Sequence, residues 1–228
     1  MVNDRFGKES IIMKSVLVIG MGRFGRTLAM KMQQLKNAVM IVDQDEAIIE
    51  ELAPQFTDAY IGDCTNEAVL RSLGVNNFDL CFVAIGENFQ SSLEITSLLK
   101  ELGAKYVVSK ASRDIQAKFL RQSGADEVVY PERDMAEKLA IRHNAKNIFD
   151  YIELTPEVAI YEIPIMRSWS GQSIASLNIR RKYNVNILAI KNGAAIKSLP
   201  GGDYVFEKGD HVIIVGKFAD VSRLTERT

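Results

Sequence analysis

Over the first 130 positions, apolar residues fall into short unbroken runs, each followed by a stretch with helical spacing. SVLVIG (15–20) precedes RTLAMKMQQL, AVMIVDQ (38–44) precedes DEAIIEELA, and DAYIGD (58–63) precedes NEAVLRSL. FDLCFVAIG (78–86) precedes NFQSSLEITSLLKEL, YVVSKA (106–111) precedes DIQAKFLRQSG, and EVVYPE (127–132) precedes a helix over 134–147. A strand with one face in water alternates apolar and polar residues. These runs do not alternate, so each strand needs cover on both faces. Six such repeats predict an α/β architecture: a doubly wound, parallel, six-stranded Rossmann-like sheet with right-handed crossovers and helices on both sides.

The pattern changes near residue 150. VAIYEIPIM (158–166) alternates, SIASLNIRRKYN reads as a short helix, and FADVSRL reads as a closing one. VNILAIKNG and AAIKSLPGGDYVFEKGDHVIIVGK read as hairpin strands with Asn-Gly, Gly-Gly and Gly-Asp turns. A second, smaller α+β C-terminal domain is therefore expected. The expected division is an N-terminal extension over 1–12, a first domain over 13–133, a connecting helix over 134–152 and the second domain over 153–228. The first twelve residues are polar and lack a signal-peptide core; they are expected to be an extension or an alternative start.

Composition narrows the function classes. The 228 residues are 47% hydrophobic and 25% charged, ordinary for a globular chain with a sizeable core. A net charge of -1 argues against a nucleic-acid partner, whose backbone demands a basic excess. No apolar run approaches the roughly 18 residues of a membrane-crossing helix. Cys64 and Cys81 are expected as reduced thiols. Neither they nor His143 and His211 fall into a zinc spacing.

The chemistry concentrates in VLVIGMGRFGRTL (16–28). A G-x-G-x-x-G sequence that follows a strand and opens a helix is a phosphate-binding turn. Gly20 permits the tight turn, Gly22 lets the backbone approach phosphates, and Gly25 lets helix and strand pack closely. The helix N-terminus adds free N–H groups and a positive dipole end. Asp43 closes the second strand, at the spacing of the acid that binds ribose hydroxyls. With no arginine beside it to accept a 2′-phosphate, NAD(H), ATP or ADP is expected rather than NADP. Asp63 either reaches the adenine edge or caps the next helix through Thr65 and its neighbours. Arg23 either neutralises phosphates, its own ligand's or a neighbour's, or faces solvent at the helix start.

Reaction machinery is not legible. Tyr-x-x-x-Lys occurs at Tyr106/Lys110 and Tyr204/Lys208. The first pair falls on a strand, about 13 Å apart at 3.3 Å per residue, and the second in a hairpin. There is no Walker lysine, nucleophile elbow or metal triad. A cradle without chemistry favours a sensor over an enzyme; the alternative is a small NAD-dependent oxidoreductase.

VIGMGRFG, IVDQDE, IGDCTNEAVLRSLGV, FVAIGENFQSS, VVSKA and VYPERDMAEKLA together resemble the RCK domain. This is the regulator of potassium conductance module of cytosolic Trk/Ktr-type subunits, and the resemblance covers 13–228, including a TrkA-C-like C-terminal module. It implies a non-enzymatic gating subunit, cytoplasmic and peripheral to the inner face of the membrane. It further implies homodimers assembling into an octameric ring on a membrane potassium-translocating subunit (KtrB/TrkH-like). ATP and ADP would favour different ring shapes, with NAD(H) also able to bind. A different membrane cation transporter is the alternative partner.

By position, the resemblance assigns phosphates to Gly20, Gly22 and Gly25, the ribose to Asp43 and the adenosine side to Asp63. It matches Arg23 to an arginine that reaches a neighbouring subunit's terminal phosphate. It matches Glu132 to a glutamate associated there with a cation (Mg, Ca or Na); Glu132 reads equally as a helix N-terminal acid after Pro131. Phe24 and Cys64 join the binding set beside Arg23 and Asp63. Asn88 and Lys110 join it at the ends of the fourth and fifth strands. SLNIRRKYNVNILAI resembles the region that binds cyclic di-AMP in some relatives, which points to Arg180, Asn186 and Ile187; ordinary packing and surface charge explain these three as well.

Overall fold

The computed structural model describes residues 13–86, 88–144, 149–155 and 157–225. The chain divides into two compact units, 1–133 and 134–228.

In the first unit, β1 (Ser15–Ile19), β2 (Ala38–Asp43), β3 (Asp58–Ile61), β4 (Leu80–Val83), β5 (Val107–Lys110) and β6 (Glu127–Val129) form one parallel sheet. Its order is β3-β2-β1-β4-β5-β6. The connecting helices are α1 (Arg23–Gln34), α2 (Glu46–Leu52), α3 (Glu67–Leu73), α4 (Phe89–Glu101) and α5 (Asp114–Gln122). This is the doubly wound α/β sheet that the unbroken runs predict. Along β1, Val16 and Val18 pack into one core with Ile41 and Met21, while Leu17 and Ile19 pack into another with Val42 and Val83. Each face has its own apolar layer, which is why β1 cannot alternate. The strand order reverses between β1 and β4, leaving a crevice at the carboxyl ends of the strands.

Some boundaries shift. The run 127–132 is strand only to Val129, because α6 (Pro131–Asn144) opens at Pro131 instead of near 134. Proline lacks an N–H, so the first helical turn loses nothing by holding it. The third strand stops at Ile61, leaving Gly62 and Asp63 in the following turn.

At the opposite end of this sheet, Asp79 ties β1 to β4. It accepts from the backbone N–H and the hydroxyl of Ser15, each at 3.0 Å, and from Lys105 Nζ at 2.9 Å. The Lys105 hydrogen bond first, and those from Ser15 next, lower its pKa from 3.8 to about 2. A carboxylate whose folded pKa is depressed stabilises fully above its unfolded value and loses that contribution as pH falls through the folded one. The Asp79 contribution is therefore present above about pH 4 and fades toward pH 2. Urea midpoints measured across this window should fall less steeply for Asp79→Asn than for wild type.

The second unit holds the remainder of α6 and an antiparallel sheet of order β10-β9-β11-β8-β7. Its strands are β7 (Asp150–Glu153), β8 (Val158–Pro164), β9 (Asn186–Asn192), β10 (Ala195–Ser198) and β11 (His211–Lys217). The helices α7 (Ile174–Leu177), α8 (Ile179–Tyr183) and α9 (Phe218–Thr225) complete it. The α+β expectation holds, with two corrections. The stretch 134–152, expected as connecting helix, becomes strand β7 from Asp150, where buried Tyr151 stacks on Tyr161 of β8. Residues 145–148 of that stretch lie outside the described residues. The single helix expected over SIASLNIRRKYN is two, because Asn178 takes a left-handed conformation (φ 47°) between α7 and α8. Asparagine tolerates that conformation better than other side chains do.

The core of this unit centres on Trp169, which packs on Phe206 and Tyr183. Asp210, fully buried, accepts from Asn192 Nδ2, the Tyr204 hydroxyl and the Glu207 N–H, each at 2.8 Å. Three donors compensate the carboxylate for lost water and fix the turn before β11.

Candidate functional site

The site grows out of the first turn of the sheet. Gly20 has φ +93°, a conformation that side chains resist, and its N–H closes on Val42 O at 2.8 Å. A Cβ on Gly25 would stand 1.9 Å from the Gly20 carbonyl oxygen, so only glycine lets α1 seat this closely on β1. A Cβ on Gly22 would meet nothing within 4 Å: open space lies where a ligand would approach. Gly22 is also the N-cap of α1 and supplies no side-chain cap. The N–H groups of the first turn therefore have no intrahelical acceptor and await one from outside.

This turn borders a cavity of about 490 Å³ at the carboxyl ends of β1, β2 and β4. Of the residues singled out from the sequence, Gly20, Gly22, Asp43, Asp63, Cys64 and Asn88 line it. Asp43 Oδ2 accepts from the Met21 N–H at 2.6 Å and Oδ1 from the Asp45 N–H at 3.0 Å. Its carboxylate thus fastens the glycine turn to the end of β2 while facing the cavity. Asp63 Oδ1 accepts from both the N–H and the hydroxyl of Thr65, at 2.9 and 2.8 Å. The cap of α3 is a different residue, Asn66, which accepts from the Ala68 N–H at 3.0 Å. Asn88 caps α4 through the Ser91 N–H at 3.1 Å. Burial first, then the charges of Asp63 and Asp43, push the Cys64 thiol up to about 12. It lines the cavity as a buried thiol held in its neutral form. Thr65, read in the sequence only as a capping partner of Asp63, also lines the space, as do Gly62, Gly86 and Ser91, which the sequence reading did not assign to the site.

Arg23, Phe24, Lys110 and Glu132 form a second group. The Lys110 side chain is only 11% exposed and its Nζ lies 2.6 Å from Glu132 Oε1. That Nζ also stands 5.8 Å from the centre of the Phe24 ring. A Cβ on Gly86 would come within 3.1 Å of it, which places the pair against the cavity wall. The Lys110 hydrogen bond holds the Glu132 carboxyl below the usual carboxylate range, with the Arg23 charge adding to the effect. Arg23 itself is exposed at the first position of α1. Among the described residues no group of three or more His, Cys, Asp or Glu side chains is placed to hold a metal ion. Glu132 alone offers one carboxylate, so any cation there needs oxygens from a ligand.

The remaining candidates are dispersed. Tyr106 donates to Glu127 at 3.3 Å while Lys110 pairs with Glu132, so the two share no proton path. Burial, then the Asp210 hydrogen bond, raise Tyr204 to about 12. Arg180 is exposed on α8, Asn186 is exposed at the start of β9, and Ile187 packs partly against the second core.

The TrkA-N domain model matches residues 16–131 and the TrkA-C domain model residues 158–228. The chain is 41% identical over 214 residues to Ktr system potassium uptake protein C of Bacillus subtilis, covering 94% of this chain and 97% of that one. The chain belongs to the family of Ktr system potassium uptake proteins. Ktr system potassium uptake protein A of the same organism is 37% identical over 210 residues, covering 92% and 95%. Among solved structures, the GsuK RCK domain superposes with TM-score 0.67 at 18% identity, over 94% of this chain and 47% of that one. A GsuK channel bound to NAD gives 0.66 at 18%, over 94% and 39%. At these identities the two structures show the fold alone. The Ktr-family chain thus bears out the RCK resemblance drawn from its motifs. No helix among its described residues is long and apolar enough to cross a membrane.

Proposed function

We propose that this Ktr-family chain is a non-enzymatic, nucleotide-reading regulatory subunit of a potassium uptake system. The observation that carries the reading is the cavity at the β1/β4 switch point. There an uncapped helix N-terminus, the open face of Gly22 and the carboxylate of Asp43 converge. A polyphosphate on the helix terminus and a ribose on Asp43 would satisfy all three. Gly20, Gly22 and Gly25 would shape the phosphate seat, with Asp63, Cys64 and Asn88 around the rest of the ligand. ATP and ADP are the proposed ligands, with NAD(H) an additional one; a neighbour of the same fold bears NAD.

Reading requires a difference between ligand states. ATP carries a terminal phosphate that ADP lacks. In this proposal Arg23 serves that phosphate from the neighbouring protomer of a homodimer. Glu132, exchanging Lys110 for a Mg, Ca or Na ion, shares the cation with the phosphate oxygens. Dimers would assemble into an octameric ring at the cytoplasmic face of a KtrB/TrkH-like membrane subunit. Arg180, Asn186 and Ile187 would contribute to a cyclic di-AMP site in the second unit.

Calorimetric titration tests the reading. ATP, ADP or NADH should bind the purified chain, and steady oxidation of NADH with added carbonyl compounds should be absent. No binding of any of the three, or steady turnover, overturns it. For Arg23→Ala, ATP affinity is expected to drop about tenfold and ADP affinity less than about threefold. Equal losses would remove Arg23 from the terminal phosphate. Capture of the membrane subunit that differs between ATP and ADP checks the coupling.

A further inference from the structure

Met21, between the first two glycines, has both of its backbone polar groups held by charged side chains. Its N–H donates to Asp43 Oδ2 at 2.6 Å, and its carbonyl accepts from Arg26 Nε at 2.8 Å. Its own side chain is fully buried. Arg26 is kept in turn by Glu51 of α2, whose two carboxylate oxygens each lie 3.4 Å from Nη1.

The peptide unit is planar and trans, so its C=O and N–H point in opposite directions. The Met21 carbonyl and the Gly22 N–H belong to one such unit. Holding the carbonyl on Arg26 therefore directs the Gly22 N–H to the other side. Gly22 lines the cavity, whereas Met21 and Arg26 do not. Gly22 carries no Cβ and has open space around it, so nothing steric at that residue opposes rotation of the peptide. A rotated peptide would offer phosphates a carbonyl dipole in place of a donor. Arg26 is what makes that rotation costly, because it would strand a charge-assisted hydrogen bond.

We propose that Arg26 is a positioning residue for the nucleotide. It locks the peptide joining Met21 and Gly22 with the N–H available to phosphates, and it does so without touching the ligand. The inference rests on the reading of this cavity as a nucleotide site. It differs in kind from the role given to Arg23. The glycine turn serves phosphates common to ATP, ADP and NADH, so loss of Arg26 weakens all three alike.

The experiment titrates ATP, ADP and NADH into wild type, Arg26→Ala, Arg26→Lys and Glu51→Gln, and follows hydrogen exchange of individual amides. Arg26→Ala should bind each nucleotide about tenfold more weakly with the ATP-to-ADP ratio unchanged. In the ATP complex its Gly22 amide should exchange faster than the wild-type Gly22 amide does, while the Ala29 amide, inside α1, exchanges as in wild type. Arg26→Lys should recover part of the affinity, since an ammonium can donate to the same carbonyl as a single point charge. Glu51→Gln changes one exposed carboxylate and leaves the buried core untouched; it should show the same uniform pattern at about twofold. Wild-type affinity in both Arg26→Ala and Glu51→Gln overturns the clamp. So does an altered ATP-to-ADP ratio, which would place Arg26 on the terminal phosphate. Silence of wild type toward all three nucleotides overturns the nucleotide reading, and the clamp with it.

Discussion

Gly25→Ala is expected to abolish nucleotide binding and to destabilise the first unit. The added methyl carbon would sit 1.9 Å from the Gly20 carbonyl oxygen, and the next obstacles are the Gly20 carbonyl carbon at 3.1 Å and Ala84 Cβ at 3.2 Å. Two of these three are backbone, so no side chain can rotate out of the way. Helix α1 must lift from β1, and its N–H groups leave their place at the cavity. Overpacking of this kind costs about 3 kcal/mol, and ATP affinity should drop more than about 100-fold. Thermal unfolding and ATP titration read the two effects separately. Gly22→Ala is the matched control: its Cβ meets no neighbour in the free protein, so stability should stay near wild type while phosphate approach is hindered. Wild-type ATP affinity in Gly25→Ala would show that the glycine turn is not where the ligand sits.

The second large effect belongs to the other unit. Trp169→Ala should lower its stability by roughly 3–5 kcal/mol, the usual range for emptying a large aromatic site. Trp169 is 1% exposed and packs on Phe206 at 5.5 Å and Tyr183 at 5.7 Å between ring centres. Relaxation cannot fill the hole cheaply, because those rings are themselves anchored in the same core. Trp169→Phe should cost less than half as much: its ring fills most of the volume, and the indole Nε1 it removes has no hydrogen-bond partner among the described residues. Chemical denaturation followed by far-UV signal measures both variants. ATP affinity at low temperature should remain within about twofold of wild type, since every residue lining the cavity lies in the first unit.

The first unit was legible because burial on two faces leaves a strong mark. β1, β2 and β4 need unbroken apolar runs, and the glycine turn needs its three glycines at fixed positions. Asp43 was legible for the same reason: it stands at the end of a strand that the pattern defines. What remained hidden depends on contacts that no spacing encodes. Gly62, Gly86 and Ser91 become cavity walls only when neighbouring strand ends are brought side by side. Arg26 reads as an ordinary helical arginine until its rotamer turns Nε back onto Met21. Strand β7 was hidden by its four-residue length, and the break at Asn178 by the good helical pattern on either side. Lys110 and Glu132 were each singled out, but not as a pair, since 22 residues separate them in sequence.

Cys64 carries a consequence for the conditions under which the cavity can work. The thiolate is the species that attacks peroxide and disulfide reagents, and a buried thiol held protonated up to about 12 offers almost none at neutral pH. An oxidative burst that modifies accessible cysteines elsewhere would leave this wall intact. A nucleotide bound as proposed would then meet a wall that oxidation of this thiol does not alter.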